Sequence, residues 1–174
     1  MSFLELARKR YSVRKYLGKK VEEEKLKCIL EAGRIAPTGA NRQPQRIIVV
    51  REEKGLSNLS KAANIFGAPL ALIICADHNV TWKRHYDGKD IADIDASIVT
   101  DHMMLEATAQ GLGSVWICHF KPEVVKSEFK LPEGIEPVNI LAIGYADGEP
   151  LPTDRYDRDR NPLDDMVFFE KFSL

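Results

Sequence analysis

Two short segments carry residue types at spacings that can do chemistry. The first, Arg10-Tyr11-Ser12-Val13-Arg14, puts two guanidiniums and a hydroxyl within five residues. In an extended segment alternate side chains share a face, so Arg10, Ser12 and Arg14 can converge on one anion. Two forked donors plus a hydroxyl suit a phosphate monoester better than a lone carboxylate does. The second, Pro37-Thr38-Gly39-Ala40-Asn41-Arg42-Gln43-Pro44, is a turn-rich polar loop between a helix and an apolar strand. Its small residues let a flat ligand approach the backbone. Together the two read as a phosphate clamp and a ring-binding loop. The plainer alternatives are a basic segment paired with Glu22-Glu23-Glu24 and an ordinary connecting loop.

Other candidates carry less. Cys118 and His119 fall in an apolar run read as a strand, so their side chains point to opposite faces and cannot work as a nucleophile–base pair. Cys75, Asp77, His78, His85 and His102 show neither H-x-x-x-H nor C-x-x-C spacing, and no metal site is expected. Gly111-Leu112-Gly113 lacks a third glycine and follows a helix rather than a strand. It reads as a helix stop, not a dinucleotide fingerprint.

These segments must be positioned by a fold of modest size. The 174 residues suit a single domain spanning 1–174, with enough chain to bury a core. A formal net charge of -1 argues against general nucleic-acid binding. Three widely spaced cysteines, Cys28, Cys75 and Cys118, read as buried free thiols in a reducing compartment. The start Met1-Ser2-Phe3-Leu4-Glu5 has no signal-peptide pattern, and no run reaches the ~18 apolar residues of a membrane span. A cytoplasmic protein is expected.

Ser2-x-x-Glu5 has capping-box form and predicts a helix to about Lys9. A second helix starts near Val21, carries Leu26, Ile29, Leu30 and Gly33 on one face, and ends at Pro37. Ile47–Val50 reads as a strand, Leu56–Ala63 as a helix and Pro69–Ala76 as a central strand. A long helix over about Ile91–Gln110 is apolar on more than one face, which places it deep in a domain or in a subunit contact. Val115–Phe120 is a third strand, Pro122–Phe129 a short helix and Asn139–Tyr145 a fourth strand. From Asp147 onward, prolines interleave with Asp and Arg before an aromatic end. That arm, about 147–174, cannot form a core alone and should dock on this domain or on a partner.

Four features in register resemble the FMN-dependent nitroreductase family: Arg-Tyr-Ser-Val-Arg; Ala-Pro-Thr-Gly-Ala-Asn-Arg-Gln-Pro; Asp95-Ala96-Ser97 opening the long helix; and Gly111-Leu112-Gly113-Ser114-Val115-Trp116-Ile117 after it. The resemblance implies an α+β fold with a mostly antiparallel central sheet flanked by helices. It also implies a homodimer in which the C-terminal arm embraces the partner subunit, with FMN at the interface. Hydride would pass from NADH or NADPH through flavin N5 to a nitroaromatic, quinone or similar small-molecule acceptor in a ping-pong cycle, with no nucleic acid or membrane involved. Dehalogenation or flavin cleavage on the same scaffold, or a flavin-binding module without turnover, are the alternatives.

By the same resemblance, Arg10, Ser12 and Arg14 form the phosphate and ribityl clamp, and Tyr11 contributes through its backbone or ring. Pro37, Thr38, Gly39 and Asn41 approach the flavin from the other subunit. Ile117, Cys118 and His119 present backbone N–H groups to the ring. Arg158 and Arg160, before Asn161-Pro162-Leu163, return to the phosphate, with Arg155 as a competitor for the place of Arg158. Trp82–Tyr86 is either an exposed loop or a docking place for nicotinamide or acceptor. Gln45 stands where the family often has an aromatic, and the short chain suggests a more open pocket.

Overall fold

The structure, a computed structural model, describes residues 1–172; Ser173 and Leu174 at the tip of the expected arm lie outside the described residues. Four antiparallel strands form one sheet in the order β1-β2-β4-β3: β1 Gln45–Val50, β2 Leu70–Asp77, β3 Gly113–Ile117 and β4 Ile135–Gly144. The two central strands are built from near-continuous apolar runs because helices cover both faces. On one face α2 (Glu23–Ile35) and α4 (Ala92–Ala109) bury Leu26, Ile29, Val99 and Met103 against Leu72, Ile74 and Leu141. On the other, α3 (Glu53–Ser60) and α5 (Pro122–Phe129) bury Leu59 and Val125 against Ile73, Cys75 and Ile140. Each such fully buried side chain contributes about 1.5–3 kcal/mol.

Helix α1 (Phe3–Lys9) has the expected capping box, with the Ser2 hydroxyl accepting from Glu5 N–H. It buries no residue. Helix α4 is apolar on both sides: Val99 and Met103 face the sheet, whereas Ile94 and Ile98 join Trp116 along an open groove of about 570 Å³.

Several boundaries depart from the expectations. The fourth strand begins at Ile135 rather than Asn139, carrying Pro137 past a register shift opposite Ile74 and Cys75. The helix expected at Leu56–Ala63 spans Glu53–Ser60. Strand β3 starts at Gly113 and stops at Ile117, so Cys118 and His119 are exposed loop residues, not strand residues. Of the three cysteines only Cys75 is buried; Cys28 and Cys118 are exposed. Burial pushes the Cys75 thiol up to about 12, which leaves it an inert core group.

The arm is in part a short helix, α6 (Tyr156–Asp159), docked beside α1 of the same chain. Beyond it Leu163, Met166, Phe169 and Phe172 are exposed.

Candidate functional site

Segment 10–16 runs along the edge of the sheet. Ser12 bridges in parallel to Ser114 of β3, and Val13 N–H donates to Ser114 C=O at 2.9 Å. Val13 is the inward residue of the alternation and sits directly on Gly113. A Cβ at position 113 would come within 2.5 Å of Val13 Cγ2, so the segment lies this close only because glycine opens the strand. Tyr16 closes the other end, its hydroxyl 2.9 Å from Val13 C=O and 3.2 Å from Ala142 C=O. Burial pushes that phenol above its ordinary range, so it stays a neutral donor.

With Val13 turned in, Arg10, Tyr11, Ser12 and Arg14 line a cleft of about 300 Å³ closed by Leu151, Arg155, Tyr156, Asp159 and Arg160 of the arm. Four arginines and one carboxylate residue thus line it. Among the described residues Arg10, Arg14 and Arg160 form no ion pair. The acidic run that could have neutralised them is engaged elsewhere. Glu22 pairs with Lys19 at 3.0 Å and accepts from Tyr145 at 2.6 Å; Glu23 pairs with Arg51, and Glu24 with Lys27 at 3.0 Å. A concentration of unneutralised forked donors beside a hydroxyl is the chemistry that holds a phosphate dianion. Arg158 does not line this cleft, whereas Arg155 does.

Pro37, Thr38, Gly39 and Asn41 belong to a separate construction against the start of α4. Asn41 N–H donates to Thr38 C=O and Arg42 N–H to Gly39 C=O, both at 3.0 Å, while Thr38 Oγ1 accepts from Gln43 N–H at 3.1 Å. Ala40, Asn41 and Gln43 have φ of 48°, 55° and 52°. Asparagine tolerates that region; alanine and glutamine do not do so readily, and strain of this kind clusters where a ligand must be met.

Asp95 holds the loop. Its Oδ1 accepts from Gly39 N–H at 2.9 Å, and the residue is 1 % exposed. Its Oδ2 has no hydrogen-bond partner among the described residues, and neither has Oε1 of Gln45 at the start of β1. A Cβ at Gly39 would collide with Ile91 Cδ1 at 2.3 Å and meet Trp82 Cβ at 3.3 Å, so the loop lies flat on those side chains. Trp82 is therefore a half-buried support. After it, Lys83 and Asp90 bridge at the base of a small hairpin stapled by Arg84 and Asp87, which presents a 94 % exposed Tyr86.

Ile117 is buried at the end of β3, three residues past Ser114. Outside the strand ladder, Cys118 and His119 donate no backbone hydrogen bond among the described residues. The structure thus joins Arg10, Tyr11, Ser12, Arg14 and Arg160 in one cleft and sets Ile117 at the end of the strand that supports it, with Cys118 and His119 in the loop beyond. The cleft lining does not include Pro37–Asn41.

Sequence reasoning gave no site role to Leu151, Tyr156 or Asp159, and named Asp95 only as the opening of the long helix. An acidic residue in the first turn of an otherwise apolar helix could have flagged Asp95. Nothing local to Tyr156 or Leu151 separates them from ordinary arm residues.

Comparison with known proteins accords with this fold. A family model described as "Nitroreductase family" matches residues 7–65 and 54–145. An NADH dehydrogenase of Thermus thermophilus is 30% identical over 88% of this chain and 91% of its own. Among solved structures, a nitroreductase family protein from Clostridium difficile 630 superposes with a TM-score of 0.97 at 53% identity, covering 99% of this chain and 100% of that one. An FMN-dependent nitroreductase from Clostridium difficile R20291 gives a TM-score of 0.81 at 32% identity, covering 96% and 98%. With a matching family model over most of its length, the same sheet and the same helical layers, this chain belongs to the nitroreductase family.

Proposed function

We propose that the chain is an FMN-dependent NAD(P)H oxidoreductase that works as a homodimer. The observation that carries this reading is the cleft itself: Arg10, Arg14 and Arg160 line it with Ser12 and form no ion pair among the described residues, while every acid of the Glu22–Glu24 run is engaged elsewhere. Such a cleft fits the phosphate end of FMN. The names of relatives point the same way, among them an FMN reductase [NAD(P)H] of Bacillus subtilis, 28% identical over 77% of this chain.

When bound, FMN supplies hydride exchange at its N5, from NADH or NADPH to a nitroaromatic, quinone or similar acceptor in a ping-pong cycle. Arg10, Ser12, Arg14 and Arg160 hold the phosphate, and Tyr11 supports the ribityl side. Arg158 is left out of the clamp. The free N–H groups of Cys118 and His119, beyond Ile117, are donors for negative charge developing on the ring. Pro37, Thr38, Gly39 and Asn41 serve the flavin held by the partner, in keeping with their absence from the lining of their own chain's cleft. The chemistry requires no side-chain acid or base, since a proton can arrive from water.

The dimer is supported by the apolar surface. Phe3, Leu4, Ile35 and Ile94 are exposed, the groove beside α4 is apolar, and the arm ends in exposed Phe169 and Phe172. Covering so much apolar surface is what an obligate interface does, and the arm's far end embraces the partner.

The purified protein is expected to be yellow, to bleach on addition of NADH or NADPH, and to regain its colour with a quinone or nitroaromatic. A colourless protein that stays colourless after incubation with FMN overturns the reading. A flavin-loaded protein that sediments as a stable monomer overturns the dimer.

A further inference from the structure

We propose that Arg155 and Tyr156 are positioning residues that set the anion cleft without touching the phosphate. The inference rests on the phosphate reading of that cleft. Arg155 lines it, yet its four terminal N–H bonds already meet four acceptors. Nη1 donates to Arg8 C=O at 3.2 Å and Pro152 C=O at 2.7 Å; Nη2 donates to Arg10 C=O at 2.5 Å and Tyr156 Oη at 2.7 Å. None of the four is a carboxylate. The guanidinium therefore keeps its full positive charge beside the cleft, but has no free fork to offer an anion.

What the pair holds is the end of α1. The last carbonyls of a helix have no partner within it and must find one elsewhere. Here Arg155 takes those of Arg8 and Arg10, and the Tyr156 hydroxyl donates to Arg10 C=O at 2.8 Å with Ala7 C=O at 3.4 Å. Arg8 adds an outer tie to Asp157 at 3.3 Å. Arg10 is thus fixed at its root by two residues almost 150 positions away. Arg160 is set by the same element: its guanidinium lies 5.3 Å from the centroid of the Tyr156 ring, over which Arg155 also lies at 4.1 Å. One aromatic ring holds two like charges near each other, an arrangement that an incoming dianion relieves.

The experiment compares affinity for FMN with affinity for riboflavin, which lacks the phosphate, by flavin fluorescence titration of the full chain. The wild-type protein should prefer FMN. Arg155→Met should cut that preference about tenfold or more while leaving riboflavin binding unchanged, which a general loss of structure would not do. Arg155→Lys keeps the charge but not the fork and should behave like Arg155→Met. Tyr156→Phe, which removes only a hydroxyl, should move the preference in the same direction by less.

In an Arg10→Met/Arg160→Met background, Arg155→Met should have almost no further effect, since its targets are gone. A full, multiplied effect there makes Arg155 a phosphate ligand and overturns the proposal, as does an Arg155→Lys protein with undiminished preference. If Arg155→Met does not fold, an unchanged preference in Tyr156→Phe overturns it instead. A wild-type protein with no preference for FMN overturns the phosphate reading itself, and the positioning role with it.

Discussion

Segment 10–16 keeps ordinary extended backbone and is held by packing, with Val13 seated on Gly113 and the Tyr16 hydroxyl between two carbonyls. Loop 37–43 instead carries three non-glycine residues at positive φ and hangs from the buried carboxylate of Asp95. The first region keeps its capacity in side-chain charge on a relaxed backbone. The second keeps it in backbone shape, with side chains that are mostly small. Side-chain replacement should therefore disable the first without unfolding it, whereas the second should respond chiefly to changes that alter its dihedral angles or its anchor.

The sharpest break removes the seat of the first region. Gly113→Val drives a side chain into Val13, for which a Cβ alone would already lie at 2.5 Å. A loss of about 2–3 kcal/mol is expected in urea unfolding, together with loss of bound flavin. Full stability would show that segment 10–16 is free to move off the strand. Next in size, Arg14→Met should weaken FMN binding by about 1.5–3 kcal/mol, roughly ten- to hundredfold, with stability within about 0.5 kcal/mol of the parent. A variant that purifies with full flavin occupancy contradicts the clamp.

Smaller effects sharpen the other side of the comparison. Ala40→Gly relieves about 1–2 kcal/mol of left-handed strain at φ 48°, against about 0.5–1 kcal/mol of added chain entropy. A net gain of about 0.5 kcal/mol is expected in urea, and a loss would show that the loop is not strained. Smallest is Glu22, which belongs to neither region. The hydroxyl of Tyr145, then its own backbone and Lys19, hold its carboxyl at about 2 rather than 4.5. Because the folded value is depressed, this contribution is present above about 4.5 and is lost as pH falls toward 2. Tyr145→Phe should return the Glu22 carboxyl toward its ordinary range in an NMR titration; an unmoved titration would show the hydroxyl to be incidental.

How legible each part was follows from where its cause lies. Helix α5 opens at Pro122 and ends at Phe129 as expected, since proline at the first turn and the apolar spacing are local signals. Strand β2 was plain for the same reason, as an apolar run between turns. The end of β3 was not: Val115–Phe120 stays apolar past Ile117, and only the partner strand's register shows where pairing stops. The grouping of Arg10, Ser12 and Arg14 was visible because forked donors at alternate positions imply a common target, whereas Arg160 was reached only through the family resemblance. The ties of Arg155 were hidden, because three of its four acceptors are backbone carbonyls that no residue type announces. The positive φ of Ala40 left no trace either, alanine being a residue that seldom adopts it.

The ties between residues 8–10 and 153–156 also order events in time. During synthesis α1 precedes its closing partners by almost 150 residues and leaves the ribosome well before them. Until those partners follow, Arg10 and Arg14 have no opposite wall. The cleft is therefore completed late in synthesis, and a chain truncated before Arg155 would lack one of its walls.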